Sequence, residues 1–199
     1  MILTAPPDTP TARLAAELVA DASPPALVHH VWRTWYFGHE LLATHVTGAD
    51  LEVAFVASML HDLGLTDRGD GPDTFEREGA DAAAAAVARA GWNEDRVELV
   101  RAAIASHLDV ASADARPEIA LVHLGAAADV VGLRLDQIPG SLVEAVLDVH
   151  PRDDFVAVVL PLLEREVERT PDSTIAALFR DFDFGRLVTD CALDHARRP

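Results

Sequence analysis

The order of hydrophobic and polar positions predicts helices along nearly the whole chain. The alternation of apolar and polar residues that marks a β-strand is almost absent. No internal repeat and no clear linker interrupts the pattern. We therefore expect an all-α fold, a helical bundle in which residues 1–199 form a single domain.

Proline, glycine and short polar side chains mark where these helices begin and end. A helix beginning at Asp50 is expected to carry His61 and Asp62 at its end. Asp73 and Glu76 have the spacing of a capping box for the next helix. The other predicted helices cover residues 10–21, 26–46, 75–90, 94–108, 118–135, 173–181 and 186–198, with two more beginning at Ser141 and Asp154.

A few polar side chains stand in segments that are otherwise apolar. His30 lies in "LVHHVWRTWYF", and His61-Asp62 ends "LEVAFVASMLHD". Asp129 lies in "GAAADVVG", with Gly125 and Gly132 on the same helix face, which leaves space beside the carboxylate. Burying such groups without partners costs several kcal/mol, on the order of 2–7 each.

A metal ion would satisfy all four side chains at once. Taken alone, each has a simpler explanation, because a buried histidine is more often a hydrogen-bonded core residue than a ligand. Together, two histidines and two aspartates on three helices can converge on one point in a bundle. We therefore predict a divalent metal ion on His30, His61, Asp62 and Asp129, a donor set that suits Zn, Fe, Mn, Co or Ni.

Composition narrows the class of protein. The chain has 33 acidic residues against 16 basic ones, all of them Arg, and a formal charge of −17. Nucleic-acid binding needs clustered positive charge, so no nucleic-acid partner is expected. No run of about 18 apolar residues exists, so no membrane segment is expected either. We expect no signal peptide, and the single cysteine, Cys191, fits a cytoplasmic protein.

The order His30, then His61-Asp62, then Asp129 resembles the HD-domain superfamily of metal-dependent enzymes. The resemblance covers about residues 25–135, and helices within 141–198 would complete the bundle. In that family the four matching positions hold the metal. The resemblance implies an HD-type helical bundle with the metal site in its core.

A narrower resemblance is carried by "FEREGADAAAAAVARAGW", "VRAAIASHLD", "PEIALVHLGAAADVVG" and "HPRDDF". These segments are similar to the cyanamide hydratase branch, which adds water to a nitrile and is considered zinc dependent, so the resemblance implies Zn as the first candidate, ahead of Fe, Mn, Co or Ni. The chain departs from that branch at His29-His30-Val31, where an Asn-His pair and a small hydroxyl residue are usual, and at Leu108, where a hydroxyl residue is expected. Both departures bear on the choice of substrate.

Four residues are candidates for catalysis: His107, Asp62, Arg33 and Glu76. His107 can donate or accept a proton near neutral pH, and its alternative is a surface histidine at a helix end. Arg33 can pair with a ligand carboxylate or contact substrate. Glu76 can orient substrate, or serve only in the capping box.

Three functions remain open from the sequence. The first is hydration or hydrolysis of a small molecule such as a nitrile by metal-bound hydroxide. The second is phosphohydrolysis of a nucleotide or phosphate ester, for which the motif segments hold few cationic donors. The third is a non-catalytic HD module that binds a regulatory ligand or partner. The expected partner is a small-molecule substrate, and assembly into a homo-oligomer is left open.

The resemblance also predicts one metal ion rather than two. HD proteins with paired metals usually carry a histidine four residues before a Gly-Ala pair. Here that pair is Gly79-Ala80, and the corresponding position holds Phe75, which cannot bind a metal. We expect Phe75 to form part of an apolar pocket wall instead, next to a small neutral substrate.

Overall fold

The computed structural model describes residues 3–43, 48–69 and 71–194, and within these ranges the chain is helical with no strand. The all-α prediction is confirmed. The α-helices, labelled α1 to α10 in chain order, are Pro10–Ala22, Pro25–Leu41, Leu51–Leu60, Phe75–Arg89, Glu94–Ala105, Pro117–Val131, Gly140–Val149, Phe155–Arg169, Thr174–Phe182 and Phe184–Thr189. Short 3-10 helices cover Leu63–Leu65, Val110–Asp114, Leu135–Gln137 and Ala192–Asp194.

Several helices end earlier than predicted, because side chains and a glycine satisfy their last carbonyl groups. The predicted helix over 94–108 ends at Ala105, where Ser106 Oγ and His107 Nδ1 donate to the carbonyls of Ala102 and Ile104. The helix predicted over 118–135 ends at Val131, since Gly132 adopts a left-handed conformation with φ of 73°. The helix predicted over 186–198 ends at Thr189, and its last residues, 195–198, lie outside the described part of the chain.

Two other boundary predictions also differ. The helix predicted over 26–46 ends at Leu41, and residues 44–46 of that prediction fall outside the described ranges. The capping box is wrong, because the N-cap of α4 is Thr74 rather than Asp73, and Thr74 makes no side-chain capping bond. Asp73 instead accepts from the Thr74 amide.

Helix α3 lies at the centre of the molecule. Its residues 53–60 are all buried, as expected for a helix that is apolar on every side. It contacts α1, α2, α4, α5 and α6. His61 and Asp62, which follow directly after α3, therefore also lie in the interior.

Helices α2 and α6 pack closely against each other and carry His30 and Asp129. A Cβ atom on Gly125 would lie 2.0 Å from the Thr34 carbonyl oxygen of α2. The glycine is therefore needed for the approach of the two backbones. The sequence had led us to expect an open space beside the Asp129 carboxylate. Instead, α2 fills the space that Gly125 leaves.

A second, smaller apolar cluster joins the C-terminal helices α8, α9 and α10 to α2, to α4 and to the 3-10 helix Leu63–Leu65. It consists of Leu27, Leu65, Phe75, Phe155, Val159, Leu163, Ile175 and Val188. None of the helices in the described ranges has the length and hydrophobicity that a membrane-spanning segment requires.

Candidate active site

Three predicted metal ligands converge in the core. His30 Nε2 lies 3.1 Å from His61 Nε2, and these nitrogens lie 3.3 and 3.4 Å from Asp62 Oδ2. All three side chains are buried, with His61 fully inaccessible. They form the group in the described chain that is able to hold a metal ion.

The hydrogen bonds of the two histidines fix which nitrogen is free. His30 Nδ1 lies 2.7 Å from Asp129 Oδ2, and His61 Nδ1 lies 2.9 Å from the Ser58 carbonyl oxygen. A carbonyl or carboxylate oxygen only accepts, so each Nδ1 carries the proton. When both rings are neutral, each Nε2 therefore presents a lone pair, and the two lone pairs face each other across 3.1 Å.

This arrangement fits a divalent metal. Zn–N bonds of about 2.0–2.1 Å place tetrahedral ligand atoms about 3.3 Å apart, close to the three edges of the triangle. Two nitrogens and one carboxylate oxygen are a common donor set of catalytic zinc, and it leaves a position for water or substrate. The triangle does not distinguish Zn from Fe, Mn, Co or Ni.

Electrostatics acts differently on the three groups. Burial lowers the pKa of His30, but its bonds to Asp129 and Asp62 outweigh burial and raise the pKa above 6.5, so a metal ion would compete with a proton for its Nε2. Burial lowers the pKa of His61 from 6.5 to about 3, against the opposing charge of Asp62, so the ring is neutral. Burial by itself raises the pKa of Asp62, but His61, His30 and His107 lower it below its ordinary value. Asp62 is therefore ionised.

Asp129 lies behind His30 rather than in the triangle. Besides His30 Nδ1, its carboxylate accepts from Arg33, whose Nε lies 2.6 Å from Oδ1 and whose terminal nitrogen lies 2.9 Å from Oδ2. Burial raises the pKa of Asp129, but Arg33 and His30 outweigh it, and the pKa is lowered overall. Both carboxylate oxygens thus accept hydrogen bonds, and one of these bonds orients the His30 ring. That Asp129 is also the fourth metal ligand stays a prediction.

Arg33 is committed to this network. The guanidinium is fully buried and also donates to the carbonyls of His150 and Pro151, at 3.2 and 2.7 Å. It does not line the pocket described below. Two roles were predicted for Arg33, pairing with the carboxylate of a metal ligand or contact with substrate. Its position matches the first role, with Asp129 as the partner.

Sequence reasoning missed a second buried arginine, Arg152. One of its terminal nitrogens lies 2.5 Å from the Asp129 carbonyl oxygen and 3.5 Å from Asp129 Oδ2, and its guanidinium stacks over Phe155. Its Nε donates to Asp194 at 2.9 Å. The segment "HPRDDF" contains Arg152, but the pairing could not be predicted from it, because the partner Asp194 lies 42 residues further along the chain.

His107 joins the same group from the end of α5. Its Nδ1 donates to the Ile104 carbonyl at 2.6 Å, which leaves Nε2 free, 3.7 Å from Asp62 Oδ1. The side chain is buried, so it is not the surface histidine that was the alternative. Phe75 packs edge-on against its ring, with centroids 5.7 Å apart.

Glu76 is buried on the first turn of α4, and its Oε2 has no hydrogen-bond partner. It does not line the pocket, although its neighbour Phe75 does. Since the capping box is absent, the structure gives Glu76 no local role. Its function in orienting substrate stays a prediction.

The triangle and His107 open into one pocket of about 280 Å³. Its polar lining consists of His30, His61, Asp62, His107 and His123. Its apolar lining consists of Phe75, Leu108, Val110, Ala126, Ala127, Val130, Val131, Leu133, Val159, Leu163, Ile175, Leu178, Phe182, Phe184 and Leu187. Phe75 is thus part of the pocket wall, as predicted.

The two positions that depart from the resemblance have different surroundings. Leu108 lines the pocket. His29 instead faces His150, with their Nδ1 atoms 3.4 Å apart, and does not line it. His123, which no sequence pattern marked as a candidate, lines the pocket and donates from Nδ1 to the His107 carbonyl at 2.8 Å.

Comparison with known proteins agrees with the narrower resemblance. No family model matches the chain. Two curated proteins of Saccharomyces cerevisiae, named cyanamide hydratase DDI2 and cyanamide hydratase DDI3, are each 27% identical to it over 183 residues, which is 89% of this chain and 81% of the relative. The predicted similarity to cyanamide hydratases is confirmed, and membership of the wider HD superfamily stays a prediction.

Proposed function

We propose that this protein is a metal-dependent hydratase that adds water to the carbon–nitrogen triple bond of a small molecule. One observation carries the proposal: the free Nε2 atoms of His30, His61 and His107 converge on Asp62 at the inner end of an apolar pocket. The names of the two yeast relatives support the same reaction.

His30, His61 and Asp62 would hold the metal through Nε2, Nε2 and Oδ2. A divalent ion, Zn first, supplies a Lewis acid that lowers the pKa of water toward neutrality. Asp129 and the Ser58 carbonyl hold the two imidazoles in the tautomer that ligation needs, and Arg33 in turn holds Asp129.

His107 is proposed as the catalytic residue that moves the proton. Its Nδ1–H is fixed on a backbone carbonyl, so the neutral ring accepts a proton at Nε2, beside Asp62. Hydration needs one proton removed from water and one delivered to nitrogen. A single imidazole that accepts and then returns a proton meets both needs.

The pocket lining argues against phosphate esters. None of the residues that line it is Arg, and the chain contains no Lys. The two buried arginines beside the site, Arg33 and Arg152, are already bonded to Asp129 and to backbone carbonyls. Among the described residues, the pocket lining therefore offers a polyphosphate no cationic side chain apart from its histidines.

The test is a substrate panel with the purified, zinc-reconstituted protein. Cyanamide and organic nitriles are assayed for urea or amide, and nucleoside monophosphates for phosphate. We expect amide or urea formation, lost in His30→Ala and retained in His29→Ala, the adjacent histidine of α2 that lies outside the pocket. Phosphate release without nitrile hydration would overturn the proposal in favour of a phosphohydrolase.

A further inference from the structure

The pocket is larger than the reacting group needs. Cyanamide has three non-hydrogen atoms, whereas an apolar protein cavity of about 150 Å³ accommodates benzene. The pocket here measures about 280 Å³. Space for an additional group about the size of a phenyl ring therefore remains once a nitrile lies against the triangle.

The additional space is apolar. All the polar lining residues are either members of the histidine–aspartate group or His123, which bonds to the His107 backbone. Beyond them the walls come from α6, α8, α9 and α10, through side chains such as Val130, Leu163, Ile175 and Leu178. Such a wall offers no hydrogen bond to a polar substituent, and it favours an apolar one.

The apolar surface continues to the outside. Val110, Leu133, Phe182 and Leu187, here called the apolar rim, line the pocket and are 67%, 44%, 62% and 44% exposed. Among the described residues only two other large apolar side chains are comparably exposed, Leu14 and Val149. Exposed apolar side chains are thus concentrated where a ligand would enter, which is typical of a ligand-binding site.

We infer that the substrate is an organic nitrile bearing an apolar group, an aromatic ring or an alkyl chain of about five carbons, rather than cyanamide itself. This inference rests on the proposed hydratase function. The nitrile lies at the triangle and the apolar group lies between α6, α8 and α9. The formal charge of −17 also disfavours an anionic substrate.

The reaction balances without a further reactant. Water adds its oxygen to the nitrile carbon, so that a C–O bond forms while one π bond of C≡N breaks, and the electron pair of that bond takes one water proton at nitrogen to give R–C(OH)=NH. After the proton on oxygen moves to nitrogen, R–C≡N and H₂O have become R–CO–NH₂. No electron is transferred to or from another molecule.

Turnover is compared for acetonitrile, butyronitrile, hexanenitrile and cyanamide. Burial of each methylene contributes about 0.8 kcal/mol, so kcat/KM should rise about fourfold per methylene until the pocket is full. A preference for cyanamide, or kcat/KM values that stay flat or fall with chain length, would overturn the inference while leaving the hydratase proposal intact.

Substitutions in the pocket test the location. Ala127→Phe fills part of the apolar space, and Ala88→Phe on the exposed face of α4 is its matched control. The ratio of kcat/KM for hexanenitrile to that for acetonitrile should fall at least tenfold in Ala127→Phe only. If Ala127→Phe does not fold, Phe182→Asp in the apolar rim is used in its place. Its control is Val149→Asp, because Val149 is similarly exposed but does not line the pocket. An unchanged ratio contradicts the inference.

Binding of product amides separates the two proposals. Calorimetry with acetamide, butyramide and hexanamide requires no turnover. Affinity that rises along this series and falls in the pocket variant supports an apolar substrate group even if no nitrile is hydrated, in which case the hydratase proposal fails alone. Affinity that does not rise overturns the inference.

Discussion

His30 Nε2 and His61 Nε2 lie 3.1 Å apart in the core, and with both rings neutral neither nitrogen carries a proton, because each ring donates its Nδ1–H elsewhere. Two buried lone pairs at this distance repel each other and have lost their water. A cation between them, with Asp62 Oδ2 as the third donor, removes the repulsion. The fold thus holds these residues in an arrangement that metal binding would stabilise.

The first prediction is that His61→Ala and Asp62→Ala lose both the bound metal and activity. Wild-type protein in zinc at about 100 times Kd should gain about 2.7 kcal/mol in unfolding free energy, because the ion binds only the folded state. The variants should gain almost nothing. Elemental analysis and thermal unfolding with and without zinc measure this.

The matched control is His29→Ala, since His29 pairs with His150 and lies outside the triangle. It should keep its metal and its zinc-dependent rise in Tm. Wild-type protein that binds no transition metal after reconstitution would refute the metal site.

A second prediction concerns Asp129. Asp129→Asn removes the charge that faces Arg33 and replaces one of the two acceptor oxygens shared by His30 and Arg33 with an amide group that only donates. Metal affinity should fall about 10- to 100-fold, as for other residues that orient a ligand. Unfolding free energy should fall by about 3–5 kcal/mol, because a buried arginine loses its partner. Titration with zinc and urea denaturation give the two values, and complete loss of the metal would instead make Asp129 the fourth ligand.

His107→Gln is the third test. The substitution removes the proton-accepting Nε2 beside Asp62 but no member of the triangle. We expect kcat to fall about 10²- to 10⁴-fold, the usual contribution of general acid–base catalysis, while zinc content stays near that of wild type. If zinc and kcat fall in parallel, His107 acts as a ligand and not in proton transfer.

The sequence predicted the helical class and the convergence of His30, His61 and Asp62, because polar side chains in apolar helices carry a strong local signal. It did not predict that Asp129 would lie behind His30. That position depends on Arg33 and Arg152, which meet it from α2 and from the segment before α8, and such long-range pairing leaves no periodic pattern.

The pocket is the second feature that the sequence left undetermined. Residues such as Val159, Ile175 and Leu178 have the spacing of any amphipathic helix. Only the packing of α8 and α9 beside the site decides that these side chains face a cavity instead of another helix. The place of Phe75 in the pocket wall could be predicted, because Phe75 occupies the position where HD proteins with paired metals usually carry a histidine.

The fourth prediction concerns acid stability. Burial, together with His29 and Arg33, lowers the pKa of His150 from 6.5 to about 4, and the ring stacks on Trp32. The unfolded state therefore binds more protons between these values, and the stability that neutral His150 contributes is complete above pH 6.5 and falls as the pH drops toward 4. Because the ring is partly exposed, we expect an effect on the order of 1 kcal/mol.

Urea denaturation of wild type and His150→Gln at pH 7 and pH 5 measures this contribution. The wild type should lose more stability over this interval than the variant. Equal losses in the two proteins would show that His150 does not carry the effect.

Anomalous scattering from crystals grown with zinc tests the central claim most directly. We expect one peak, about 2.0–2.2 Å from His30 Nε2, His61 Nε2 and Asp62 Oδ2, at the inner end of the apolar pocket. No peak at this position would contradict the metal site itself. Two peaks about 3.5 Å apart, the spacing of a two-metal centre, would contradict the single-metal account based on Phe75.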